Sequence, residues 1–534
     1  MINIDTILIL TMPTIIDSRT LQQWLQDKQE IALFDIREAG QFGEGHLFFA
    51  VPLPYSRLEI DVLRLAPRKD VRLVLIDDGD GLSGTAARRL EGLGYTRVHV
   101  LAGGIEAWAE AGYTVFKGVN VPSKTFGELV EHAYATPHIG ADELHAWSKA
   151  GKKFALLDGR TVEEHRKMTI PGSVSCPNGE LAYRIRTLVD DEETPIVINC
   201  AGRTRSILGA QTLRNLNLPN PVVALENGTQ GWYLAGLQLE HDSNKRYPDA
   251  APEDLSQERD AAELLRRRFA IPVLTREQAQ AWVDDGARTT FVFDVRTESE
   301  FADKTLPGAV HAPGGQLIQA TDQYLGVRNS RLILLDHEQV RANVVASWLY
   351  QLGFEVAVLE SGIATALQLP AASPVQSSIA LADTAEVARQ LEQGTALLID
   401  IRSSAAFRRE HIAGSHWSIR PRLASLPASL PSLPATVILI AESAAVAALA
   451  AQDLREAGVP RIEWAEGLTA LKAAGFPVRS YGALPLDADR IDYLFFVHDR
   501  HEGNREAAEQ YLAWETALIG QCRHDELSAF RVAG

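Results

Sequence analysis

The apolar run "PIVIN" at 195–199 stops at Cys200, and the loop "AGRTRS" then carries two arginines before an amphipathic run resumes. A strand that ends in a lone thiol between two guanidinium groups points to nucleophilic chemistry. With Cys200 at the C-terminal end of a parallel strand and a helix starting near Ser206, the thiol lies where α/β sheets bind ligands. It also faces a helix N-terminus, which favours anions through its free N–H groups and dipole. Ala201, Gly202, Arg203, Thr204 and Arg205 can wrap so that several amides face the sulfur, and Gly202 supplies backbone freedom. Arg203 and Arg205 add positive charge. Each feature favours the thiolate over a thiol whose reference pKa is about 8.5. The expectation is a covalent nucleophile at Cys200 with 201–206 as its substrate-binding loop, needing no histidine as base.

A free cysteine can equally be a small buried hydrophobe. That reading fits Cys176 in "GSVSCPNGEL", which has no cationic setting, while Cys522 beside Arg523 and His524 reads as an incidental surface thiol. The three are too scattered for a cysteine-based zinc site, and neither metal nor cofactor is expected.

The chain of 534 residues is too long for one core and should form roughly three to five domains. With 46% hydrophobic and 23% charged residues it has an ordinary globular composition. A net charge of −17 argues against general nucleic-acid or anionic-membrane binding, so any anion site must be a local concentration of positive charge. Three cysteines point to a reducing compartment and a cytoplasmic location. The start, "MINIDTILILTMPTII", lacks a basic region and reads as the lead into a first strand. No stretch approaches the ~20 apolar residues of a membrane span.

Four segments repeat one pattern, an apolar run ending in Asp-x-Arg: Asp35/Arg37, Asp158/Arg160, Asp294/Arg296 and Asp400/Arg402. A second apolar run ends 42, 42, 42 and 41 residues later, at Asp77, Cys200, Asp336 and Ala441. A helical pattern follows each, such as Ile207, Ala210, Leu213 and Leu216, and then a third short strand with a Gly-containing turn. Copies this far apart are whole domains rather than solenoid units. The fold class is α/β: four tandem domains, each a small, mainly parallel sheet flanked by helices, plus a helical C-terminal tail. The expected divisions are 1–120, 121–245, 246–372, 373–480 and a tail at 481–534. "GVNVPSKTFGE", the polar stretch 241–269 and "LPAASPVQSS" read as linkers, the second long enough for a helix over its latter half. Ala507, Tyr511, Trp514 and Leu518 form one helical stripe, expected to dock on a neighbouring domain.

The Asp-x-Arg strand ends, the Pro171-Gly172 step, the "CAGRTRS" loop and the "ENGTQGW" turn together resemble the rhodanese family, four times in tandem up to about residue 480. One departure is Thr169, where the family usually has a histidine before Pro-Gly. The resemblance implies thiosulfate sulfurtransferase activity: Cys200 takes sulfane sulfur from thiosulfate as a persulfide and passes it to cyanide, a thiol or a protein acceptor. Because all four copies keep Asp-x-Arg, Asp158 and Arg160 read as loop supports, with Arg160 able to reach Glu163 or Glu164. Asn227 reads as pocket lining and Trp232 as packing. The other copies, with Asp77, Asp336 and Ala441 in place of the thiol and their basic loop residues expected to be lost, read as scaffolds or docking sites. Two alternatives stay open: a sulfur carrier or redox-sensing interaction protein, and a related phosphatase or arsenate reductase. Against the latter, the frame here is Cys-x4-Arg, one residue shorter than the phosphatase Cys-x5-Arg loop.

Overall fold

The short Val/Ile/Leu runs of the four repeats are buried strands, as expected for parallel sheets covered on both faces. The computed structural model describes residues 13–370, 378–429, 435–498, 500 and 504–532. Most of the N-terminal segment "MINIDTILILTMPTII" and most of the "LPAASPVQSS" linker lie outside the described residues.

In the second repeat, helix α1 (Val121–Tyr134) precedes β1 (His138–Ile139), α2 (Ala141–Lys149), β2 (Ala155–Asp158) and α3 (Val162–Lys167). Then come β3 (Val174–Ser175), α4 (Asn178–Leu188), β4 (Ile196–Asn199), α5 (Thr204–Asn215), β5 (Val222–Leu225) and α6 (Gly228–Leu234). The strand order is β1-β5-β4-β2-β3, every pair parallel, and the same order recurs in the other three sheets. The fourth repeat adds an antiparallel ribbon of Glu410–Ile412 with Val478–Ser480. Along β4 the side chains alternate: Ile196 and Ile198 pack with Leu181, Leu213 and Cys176, while Val197 packs with Leu156, Leu225 and Trp232 on the other face. The central strand is thereby fixed in register, and it delivers Cys200 between the ends of β2 and β5.

The stretch read as the linker "GVNVPSKTFGE" is largely the start of α1. Pro122 does not break it, because a proline in the first turn needs no N–H partner. Helix Ser256–Arg268 occupies the latter half of the 241–269 stretch.

The described chain forms two compact units. One joins the first and fourth repeats (Ile31–Lys117 and Ser373–Phe495), and the other joins the second and third with the end of the chain (Gly118–Ala372 and Phe496–Gly534). The expected tail at 481–534 is therefore divided between them. In the first unit Arg420 binds Glu59 at 2.6 and 2.8 Å. In the second, α4 meets the helix Gly314–Gln319 at Gly179 and Gly315, where a side chain at either glycine would strike the other's backbone. Helix α7 (Arg505–Thr516) ends before Leu518, which begins the short α8 (Leu518–Gln521). Tyr511 and Leu518 are buried as the stripe predicts, with Ala508 rather than Ala507 as the fully buried alanine. Among the described residues, no helix is long and apolar enough to cross a membrane.

Candidate active site

Cys200 follows β4 directly and α5 begins at Thr204, two residues earlier than the sequence suggested, so the connecting loop is short. The thiol is 2% exposed. Its Sγ lies 3.5 Å from Ser206 Oγ, whose hydroxyl is within hydrogen-bond distance of Arg203 O (2.8 Å) and Leu225 O (3.3 Å). The Cys200 and Ala201 carbonyls are held from the other side by the amides of Thr229 (2.8 Å) and Gln230 (3.1 Å). That turn sits so close that a Cβ on Gly228 (φ +51°) would lie 2.3 Å from Cys200 O. Asn227, also left-handed at φ 59°, places its Oδ1 3.5 Å from Arg203 Nη1.

The cysteine-less repeats reveal what such a loop does with charge. Asp77 accepts the backbone N–H groups of Gly79 (2.9 Å) and Ser83 (2.8 Å), and Asp336 accepts those of Gln339 (2.7 Å) and Ala342 (3.1 Å). In both, the amides converge on the carboxyl group of the residue aligned with Cys200. This is the donor arrangement of an oxyanion-type site.

Asp158 and Arg160 form a buried brace. Arg160 donates to Asp158 through Nε (3.0 Å) and Nη2 (2.7 Å), and to Met168 O at 2.6 Å. Asp158 also accepts Thr169 Oγ1 (2.8 Å) and Asn199 Nδ2 (3.0 Å), so Thr169 has a definite role at the position the family usually gives to histidine. Burial opposes the Asp158 charge, but Arg160 and these donors outweigh it and hold the carboxyl below its usual range. The same contacts recur in the other repeats: Arg37 to Gly45 O, Arg296 to Lys304 O and Arg402 to Glu410 O, each ten residues past its aspartate. Arg160 does not take up Glu163 or Glu164.

Glu164 instead binds Arg205, at 2.7 and 2.8 Å. Arg203 is held by Glu128 (2.8 and 3.0 Å) and Glu131, both on α1. The expected excess of positive charge is therefore absent. Around the described loop Arg203, Arg205 and Lys124 face Glu128, Glu131, Glu164 and Glu515. The third repeat also corrects the expectation that its basic loop residue is lost: Arg341 stands where Arg205 does and binds Glu300 at 2.7 and 2.8 Å. A pair that persists without the thiol holds the loop to the helix after Asp-x-Arg. Burial works against the charge of Glu164 and Glu300, but their arginine partners outweigh it and hold each near about 2, against the ordinary 4.5. Both pairs thus contribute stability above pH 4.5 and lose it as pH falls towards 2. Calorimetric melting temperatures should fall over that window, and the fall should flatten in the Glu164→Gln/Glu300→Gln protein.

Sequence reasoning gave no hint that the chain's end reaches this loop. Glu515 on α7, 1% exposed, accepts Thr204 Oγ1 at 2.8 Å and pairs with Lys124 Nζ at 3.3 Å, and Lys124 also contacts Tyr511 OH. Glu515 Oε2 and Tyr511 crowd Gly202, where a Cβ would lie 2.9 Å from that oxygen. Cys176 is buried in the core and burial pushes its thiol well up. Cys522 is no surface thiol: it is half-buried 3.8 Å from Thr125 Oγ1, and burial pushes it up to about 12.

Comparison with known proteins agrees with this fold. The rhodanese-like domain family matches residues 17–111, 140–235, 275–366 and 383–473. The crystal structure of a thiosulfate sulfurtransferase from Pseudomonas aeruginosa is 37% identical, with a TM-score of 0.90 over 97% of this chain and 99% of that one. A sulfurtransferase of Allochromatium vinosum is 34% identical over 19% of this chain and 92% of its own length. A putative sulfur carrier protein of Bacillus subtilis is 26% identical over 24% and 72%. An uncharacterised Synechocystis protein is 36% identical over 20% of this chain and 56% of its own length. Four matched segments, one repeated sheet order and a full-length likeness lead to one conclusion: the chain belongs to the rhodanese-like sulfurtransferase family, with four rhodanese-like domains in tandem.

Proposed function

We propose that this protein is a thiosulfate sulfurtransferase working through Cys200. The observation that carries the reading is the convergence of loop amides on Asp77 and Asp336, the residues aligned with the thiol. A Cys200 thiolate attacks the outer sulfur of thiosulfate, the S–S bond breaks, and sulfite leaves with the electron pair. The persulfide then lies among the amides of 201–206, and the Ser206 hydroxyl can turn from Arg203 O to donate to it. Cyanide or a thiolate attacks the outer sulfur, and the pair returns to Cys200 Sγ. Such a double displacement gives ping-pong kinetics. Arg203 and Arg205 act by fixing the loop, and Asp158 and Arg160 by bracing the strand ends. The low cysteine count favours work in the cytoplasm, and the cysteine-less repeats are candidate surfaces for a protein acceptor.

The test is a thiosulfate:cyanide assay together with mass spectrometry of Cys200 and an aryl phosphate assay on the same preparation. Turnover, one added sulfur on Cys200 and negligible phosphate release are expected. A phosphatase needs its loop arginine on the phosphoryl oxygens, whereas Arg205 is committed to Glu164. Robust Cys200-dependent phosphate release would overturn the assignment, and persulfide loading without steady turnover would favour a carrier instead.

A further inference from the structure

Twenty residues past the aspartate of each Asp-x-Arg a helix begins, at Tyr55, Asn178, Gly314 and Arg420. The repeat that carries the thiol is the one with an amide side chain there. Asn178 Nδ2 donates to Arg205 O, in the Cys200 loop, at 2.8 Å. That acceptor fixes which end of the amide is which, and Oδ1 is left buried with no hydrogen-bond partner. The oxygen lodges between two glycines: a Cβ on Gly159 would lie 2.1 Å from it, and one on Gly209 2.6 Å.

Packing alone does not call for this amide. The third repeat has Val295 and Val345 where the second has Gly159 and Gly209, and Gly314 where the second has Asn178. A Cβ on Gly314 would lie 2.4 Å from Val345 Cγ2 and 3.7 Å from Val295 Cβ, so the valines occupy the space that the Asn178 side chain takes. The first and fourth repeats have Ile36 and Ile401 at the Gly159 position, and their Tyr55 and Arg420 meet each other, the guanidinium 4.3 Å from the ring centre. An aliphatic filling of this space therefore exists within the chain. The thiol repeat instead keeps an unmatched buried acceptor, a cost that such a filling avoids.

The bond to Arg205 O bears on the sulfur through one peptide group. Ser206 stands six residues past Cys200, as Ser83 does past Asp77 and Ala342 past Asp336. The N–H groups of Ser83 (2.8 Å) and Ala342 (3.1 Å) go to those aspartate carboxyl groups. The Ser206 N–H belongs to the same planar unit as Arg205 O. A donor on that carbonyl orients the unit and draws electron density from its nitrogen, which makes the N–H a stronger donor. We infer that Asn178 is a positioning residue for the Cys200 site, holding the Arg205–Ser206 peptide so that its N–H favours negative charge on the sulfur. The inference rests on the sulfurtransferase reading, in which Cys200 reacts as a thiolate. Asn178 is uncharged, so replacing it alters no charge among Arg203, Arg205, Glu128, Glu131 and Glu164.

The test uses full-length Asn178→Ala and Gly159→Ala/Asn178→Ala. The three atoms nearest a Cβ on Gly159 all belong to Asn178, so the added methyl takes up part of the vacated space. Iodoacetamide alkylation of Cys200 is followed against pH by mass spectrometry of its peptide, beside melting temperatures. In both variants the alkylation midpoint should rise by about half a pH unit, roughly a threefold change in the ionisation constant. The double variant should regain melting temperature lost in Asn178→Ala while its midpoint stays raised. A midpoint that returns to the wild-type value together with stability makes Asn178 a packing residue and overturns the inference. An unchanged midpoint in both variants overturns it as well. Failure of the wild-type protein to take sulfur from thiosulfate would instead strike the reading of the active site, since alkylation needs no sulfur donor.

Discussion

Cys200→Ser should abolish thiosulfate:cyanide turnover, with a loss of about 10⁴-fold or more, the scale set by removing a covalent nucleophile. A serine hydroxyl in the same loop cannot hold sulfane sulfur as a persulfide. Cys176→Ser and Cys522→Ser should keep most activity, because the first thiol lies in the core and the second against Thr125. Cys176→Ser should instead cost stability, about 1–3 kcal/mol for a hydroxyl buried among apolar side chains. Steady-state rates on the three purified variants decide the matter. Substantial turnover in Cys200→Ser would remove the thiol from the mechanism.

Glu515→Ala should be the most damaging substitution outside the loop. It leaves the Lys124 ammonium, 6% exposed, without its carboxylate, and it removes the acceptor for Thr204 Oγ1. Breaking a buried pair from one side costs about 3–5 kcal/mol. The penalty should appear as release of α7 from the second unit, read as faster proteolysis and amide exchange across 505–516. Replacing both partners, in Lys124→Met/Glu515→Leu, should recover much of the loss, because no buried charge then lacks a partner. If Glu515→Ala leaves exchange across α7 unchanged, the pair does not anchor the chain's end.

Much of this protein was legible in its sequence because the deciding signals are local. The Asp-x-Arg strand ends repeat with near-constant spacing to the next strand end, which set four domains and one topology. A Val/Ile-rich strand running into a Gly-containing loop placed Cys200 at the end of the central strand. What the sequence could not determine is where the charges go. Two arginines beside a thiol read as an anion cradle, yet Arg203 turns to Glu128 and Glu131 on a helix more than seventy residues upstream, and Arg205 turns to Glu164. A guanidinium takes whatever carboxylate the folded backbone brings within reach, and that depends on packing rather than on neighbours in the chain. For the same reason α1, read as a linker, and α7, read as a packing stripe, proved to supply Lys124 and Glu515 to the loop. The chemistry proposed for the thiol rests on seven consecutive residues, while the neutralisation of its surroundings required tertiary contacts spanning almost four hundred.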